Sequence, residues 1–160
     1  MLIRPSIEAD ADAIWIILEP VIRSGETYAL PMDWDREQAM AYWNSPQHEV
    51  FVADDTGTVL GTYYLRANQM GGGAHVANCG YVTSARATGR GIARAMCLHS
   101  LARARERGFT AMQFNFVVAT NERAVALWIK LGFAIVGTLP AAFRHPRLGL
   151  VDAHVMSRTL

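Results

Sequence analysis

Residues 86–93, Arg86-Ala87-Thr88-Gly89-Arg90-Gly91-Ile92-Ala93, lie between an apolar, strand-like run and a long amphipathic pattern. Glycines at 89 and 91 permit a sharp turn in which several backbone N–H groups converge on one anion with no Cβ in the way. The helix that follows adds the positive end of its macrodipole. Pyrophosphate binding is the chemistry this spacing offers. A strand-to-helix turn also needs glycine for conformational reasons alone, so the weight of the motif depends on what accompanies it.

About thirty residues on stands a second motif, Asn121-Glu122-Arg123-Ala124-Val125-Ala126-Leu127-Trp128-Ile129-Lys130-Leu131-Gly132-Phe133. Ala124, Leu127, Trp128 and Leu131 share one face of a short helix, Asn121 is placed to cap it, and Gly132 ends it. Alone this is an ordinary capped helix. In this order and spacing the two motifs resemble the GNAT superfamily of acetyl-CoA-dependent N-acetyltransferases, and the resemblance covers nearly the whole chain. It implies an α/β (α+β) fold with a mixed, mostly antiparallel sheet, splayed at strands four and five and carrying helices on both faces. It also implies that acetyl-CoA is held by Tyr81, Val82, Arg86, Gly89, Arg90, Gly91, Ile92, Ala93 and Asn121.

Acetyl transfer from a thioester to an amine needs a neutral amine, a polarised carbonyl and a stabilised leaving thiolate. Many members of the superfamily place a glutamate on strand four as base and a tyrosine seven residues after the helix-capping asparagine as acid. Here strand four reads His75-Val76-Ala77-Asn78-Cys79-Gly80-Tyr81-Val82 with no carboxylate, and the tyrosine position is Trp128. The chain offers amides instead. The pattern His-x-x-Asn-Cys-Gly-Tyr followed by Phe-Asn-Phe-Val-x-x-Thr-Asn resembles the GNAT subgroup that acetylates proline analogues such as azetidine-2-carboxylate. That resemblance implies catalytic roles for Asn78, Asn115 and Asn121, with Asn78 positioning the substrate amine. An amide both donates and accepts without titrating. The alternative for Asn78 and for Asn115 is a buried amide satisfied within the protein.

The superfamily usually builds its acceptor pocket in the loop between the first two helices, which here contains Glu26, Thr27 and Tyr28. Glu26 is either an ammonium partner or base, or a solvated loop charge. Arg66, Arg144 and His145 are the candidates to meet a substrate carboxylate, and Tyr63, Tyr64 and Trp43 read as core or pocket wall. The five histidines show neither HxH nor HExxH spacing and both cysteines are isolated, so no metal site is expected.

These groups must be positioned by a chain of 160 residues, enough for one domain spanning 1–160, with 51% hydrophobic residues to fill its core. A net charge of +1 gives no general attraction to nucleic acid or to an anionic membrane. The N-terminus lacks a signal-peptide core and no apolar run approaches the roughly 20 residues of a membrane span, so a cytoplasmic protein with reduced Cys79 and Cys97 is expected.

Along the chain, Leu2–Arg4 reads as a strand, and Ile14, Ile17, Leu18 and Val21 as the apolar stripe of a first helix. A second helix starts at Asp33 or Asp35 and runs to about Asn44. Strands follow at Glu49–Ala53, Thr58–Ala67 and His75–Val82, then a helix from Gly91 to Arg107. Met112–Val118 is strand five, with Phe114 and Phe116 on one face and Gln113 and Asn115 on the other; Phe133–Gly137 and Val151–Met156 close the fold.

The leading expectation is transfer of acetyl to a small amino or imino acid, with a homodimer paired through the C-terminal strands. Acetylation of phosphinothricin or methionine sulfoximine, acetylation of peptide or protein N-termini, and a catalytically silent CoA-binding module are the alternatives.

Overall fold

The computed structural model describes all residues, Met1–Leu160. The chain runs β1 (Leu2–Pro5), α1 (Ala11–Ser24), α2 (Arg36–Trp43), β2 (Glu49–Asp55), β3 (Thr58–Ala67), β4 (Val76–Thr83), α3 (Ile92–Glu106), β5 (Ala111–Val118), α4 (Glu122–Lys130), β6 (Ala134–His145) and β7 (Gly149–Thr159). One seven-stranded sheet has the order β1-β2-β3-β4-β5-β7-β6. Only the β4–β5 pair is parallel. This is the splayed α+β architecture expected above, and none of its helices is long and apolar enough to cross a membrane.

Strand alternation divides the interior into two cores. On β2, Val50 and Val52 face α1 and α2, where Ile14, Ile17, Leu18 and Ile22 form the buried stripe and Trp43 is fully enclosed. Phe51 and Ala53 face α3, packing with Ile92, Met96, Cys97 and Leu101. Burying each large aliphatic or aromatic side chain contributes about 1.5–3 kcal/mol, so both helical layers are fastened mainly by these stripes. Asp35 caps α2 by accepting from the Gln38 amide at 2.8 Å, while Gln38 reaches back to the Asp35 amide at 3.0 Å.

Two stretches differ from the expected pattern. On β5 a register shift between Phe114 and Val117 breaks the alternation. Phe114 and Val117 therefore share the α3 side, and Phe116 instead meets Phe143 at 6.2 Å. The final hairpin is also far longer than Phe133–Gly137 with Val151–Met156. Along β6, Ala134–Ala142 are exposed whichever way they point, so no in/out pattern marks the strand. A further irregularity between Leu139 and Phe143, with Ala141 at a φ of +51°, hides its continuation past Pro140.

The feature that positions the site is a fork. β4 and β5 pair only at Val76↔Ala111 and Ala77↔Met112, then diverge toward the C-terminal ends of both strands. At the next position Asn78 Nδ2 donates to the Gln113 carbonyl at 2.9 Å, so a carboxamide supplies the rung that the backbone no longer makes. Beyond it the inner edges of both strands are open.

Candidate active site

The Gly89–Ala93 bend lies at the end of the fork that opens. β4 ends at Thr83, and a tight turn over Ala85–Ala87 is fixed by Ser84 Oγ, which accepts from the Arg86 amide. Gly89 and Gly91 adopt φ of +79° and +76°, the left-handed region that other residues enter at a cost of about 1–2 kcal/mol. α3 begins with no side-chain cap. The amides of Gly89, Gly91, Ile92, Ala93 and Arg94 donate to no carbonyl or side chain, and the space over both glycines is open. Five free donors at a helix start form a cradle that fits a phosphate group. Of the two arginines beside it, Arg90 is held by Asp55 at 2.7 Å, whereas Arg86 has no acidic partner. Tyr81 turns its carbonyl into the fork, where Tyr28 Oη donates to it at 3.0 Å; Val82 points its side chain into the α1 core.

Between the diverging strands lies a cavity of about 260 Å³. Its wall includes Asn78, Asn115, Asn121, Thr27 and Tyr28 together, five of the residues singled out by sequence. Each asparagine also has a structural bond. Asn78 is 5% exposed and spans the fork as described. Asn115 Oδ1 accepts from Gln113 Nε2 at 2.9 Å, and its Nδ2 donates to Asn68 Oδ1 at 2.6 Å. Asn121 Oδ1 caps α4 at the Ala124 amide, leaving its NH₂ group toward the cavity without a partner. Trp128 packs edge-on against Phe114 and tilted over Tyr81, with ring centres 5.2 and 5.1 Å away. It supplies a wall and no titrating proton.

Glu26 does not join this set. The β6–β7 turn brings Arg147 to 2.7 Å from its carboxylate, so it ties two loops together outside the cavity. Of the three residues weighed for a substrate carboxylate, His145 is buried in that same turn and accepts at Nδ1 from the Arg147 and Leu148 amides. Arg144 is exposed on β6. Arg66 lines the cavity.

Residue parity shows that the cavity passes through the sheet. On β3 and β4, Tyr63, Leu65, Cys79 and Tyr81 face α3 and α4, whereas Tyr64, Arg66, Asn78 and Gly80 face α1 and α2. Tyr64 lies over Gly80 so closely that a Cβ there would stand 2.6 Å from the ring. His48 stacks on Tyr64 at 4.0 Å, and its Nδ1 donates to the Trp43 carbonyl. Tyr42, Gly80 and Phe116 also line the cavity. Gly80 and Phe116 stand inside the patterns quoted above without having been singled out, and no motif marks Tyr42; all three acquire their place from the sheet and its packing.

The wall contains no aspartate, glutamate or histidine. Burial pushes the Cys79 thiol up to about 12, so it remains protonated and is unsuited to nucleophilic attack. Burial likewise raises Tyr28 above the usual phenol range and keeps it a donor. The site thus offers hydrogen-bond donors, aromatic walls and one guanidinium, and lacks a general base of its own.

Residues 14–133 match the model of the acetyltransferase (GNAT) family. A GCN5-related N-acetyltransferase structure from Kribbella flavida is 44% identical, with a TM-score of 0.94 over 99% of this chain and 97% of that one. N-acetyltransferase aca1 of Schizosaccharomyces pombe is 28% identical over 151 residues, 84% of this chain and 72% of its own length. The fold is shared at 22% identity and a TM-score of 0.85 with a phosphinothricin acetyltransferase from Sinorhizobium meliloti in complex with AcCoA, over 99% of this chain and 88% of that one. With its matched motifs, splayed sheet and open amide cradle, the chain belongs to the GNAT family, the acetyl-CoA-dependent N-acetyltransferases.

Proposed function

We propose that the protein transfers the acetyl group of acetyl-CoA to the amine of a small amino or imino acid, with a proline analogue such as azetidine-2-carboxylate as the specific acceptor. The observation that carries this reading is the fork cavity, a small aromatic chamber walled by Asn78, Asn115 and Asn121, on the same strand, β4, that leads into the bend with the free amides of Gly89 and Gly91–Arg94. The cofactor's diphosphate binds the free amides of Gly89 and Gly91–Arg94, with Arg86 beside it. Tyr81 and Val82 offer backbone groups along the open edge of β4, and Asn121 stands at the reacting end.

The acceptor enters from the α1/α2 face, past Thr27 and Tyr28, on a loop that Glu26 anchors through Arg147. Its nitrogen forms the new C–N bond at the acetyl carbon as the C–S bond breaks. The amine proton passes to solvent, since no basic side chain lines the cavity. Asn78 holds the amine, while Asn115 and Asn121 assist at the carbonyl oxygen and the departing sulfur. A preorganised donor at an oxyanion lowers the barrier by roughly 3 kcal/mol.

The 160 residues act as one domain and pair as a homodimer through β6, an edge strand that leaves Ile135, Val136 and Leu139 exposed. Thiol release from acetyl-CoA, measured with azetidine-2-carboxylate, proline, phosphinothricin, methionine sulfoximine and a peptide amine, tests the assignment. Preference for the secondary-amine acids supports it, and preference for a primary amine overturns the specific acceptor.

A further inference from the structure

Arg66 is the one charged residue in the cavity wall. It emerges near the end of β3 on the α1/α2 face, half-buried, beside Tyr64 and Asn78. Its Nε donates toward Asn78 Oδ1 at 3.4 Å, and no carboxylate lies within 4 Å of its guanidinium. The acid bordering the groove on its other side, Glu49, is already held by Arg103 at 2.7 Å and by Arg107 at 2.6 Å. A guanidinium drawn out of water without a counter-ion pays a desolvation cost that an incoming anion removes, and its planar fork matches a carboxylate with two parallel N–H···O bonds.

The geometry points to Arg66 as the receptor for the acceptor's carboxylate. Resting on the acetyltransferase reading above, this narrows the acceptor to a free α-amino or α-imino acid and excludes amides and peptide N-termini. The neighbour of the guanidinium decides the class. Asn78 Oδ1, bonded to Arg66 Nε, retains a lone pair for an N–H, so an anion receptor and an amine receptor stand side by side. A molecule that carries its amine and its carboxylate on the same carbon satisfies both at once. Pairing the carboxylate with Arg66 also withdraws it from the substrate's own ammonium. No acidic side chain of the wall replaces it, which favours the neutral, nucleophilic amine.

The test compares azetidine-2-carboxylate with azetidine-2-carboxamide as acceptors for the wild-type protein, Arg66→Gln and Arg66→Lys. The wild type is expected to favour the acid by about 100-fold in kcat/KM, in the range lost when one member of a desolvated charge pair is removed. Arg66→Gln should erase that preference, chiefly by raising the KM of the acid, while the KM of acetyl-CoA, whose diphosphate cradle Arg66 does not touch, is retained. Arg66→Lys should restore part of it, since charge is kept and the fork is lost. An unchanged KM for acetyl-CoA shows that Arg66→Gln is folded. Equal use of acid and amide by the wild type, or the same preference in Arg66→Gln, overturns the assignment of Arg66 and leaves the acetyltransferase reading intact. Acetylation of a peptide amine but of no free acid does the same. No thiol release with any amine removes the acetyltransferase reading, and the assignment of Arg66 with it.

Discussion

Substitution of Gly80 by alanine tests the through-sheet cavity directly. Gly80 has no positive φ, so an alanine fits its backbone and the added Cβ is the whole perturbation. That Cβ would lie 2.6, 2.8 and 2.9 Å from Cε1, Cζ and Oη of Tyr64, and the ring must withdraw by about 0.8 Å to reach ordinary contact at 3.4 Å. It has little room to do so, because His48 is stacked on it at 4.0 Å and Trp43 meets it edge-on at 5.0 Å. Overpacking of this kind costs about 1–3 kcal/mol. Part of it should appear as a lower Tm, and part as Tyr64 tilting into the acceptor chamber. The expected result is a KM for the acceptor raised about tenfold, equivalent to roughly 1.4 kcal/mol, with the Kd of acetyl-CoA unchanged by calorimetry. Adding Tyr64→Leu should relieve the strain and recover stability. Unchanged acceptor KM and Tm in Gly80→Ala, or an effect on acetyl-CoA alone, would refute the placement of the acceptor on this face.

Asn78→Ala should lower kcat by about 100-fold while acetyl-CoA still binds, because the carbonyl oxygen that holds the amine in place is lost. It should also reduce stability by about 1–3 kcal/mol, since the Gln113 carbonyl loses the rung that satisfies it; full turnover removes Asn78 from the chemistry. Asp10 accepts two bonds from Arg4 at 2.8 and 2.9 Å, and these hold its carboxyl below the ordinary value of 3.8. The stabilisation is fully present above pH 3.8 and is lost as pH falls through the lower native value, so acid unfolding of Arg4→Met should show a shallower dependence on pH there. Val136, 62% exposed on β6, should disrupt self-association when changed to lysine. Light scattering on the eluted protein checks this, and a monomeric wild type, or a mass unaltered by the substitution, refutes pairing through β6.

The first helix, the capped α4 and the glycine bend were legible because each is a local pattern. Ile14, Ile17 and Leu18 repeat at helical spacing, and Asn121 stands three residues before the amide it caps. The asparagines were legible as candidates, since their residue type and strand assignment are local facts. Their bonds were not. That Asn78 would reach the Gln113 carbonyl depends on where β4 and β5 part, and the partners of Glu26 and Asn115 come from Arg147 and Asn68, distant in sequence. The strict alternation expected for Phe114 and Phe116 failed for a related reason, since the bulge is imposed by pairing with β7. Strand β6 was cut short because its solvent-facing apolar residues leave no periodic signal.

The alternation of side chains along β4 separates two kinds of change that the chain can accumulate. Residues 78 and 80 look onto one side of the sheet and residues 79 and 81 onto the other. A change at Arg66, or a paired change at Gly80 and Tyr64, reshapes the α1/α2 side of the cavity while the packing of Cys79 and Tyr81 beneath α3 is left untouched. The two walls of the cavity, one on each surface of the sheet, can therefore change separately.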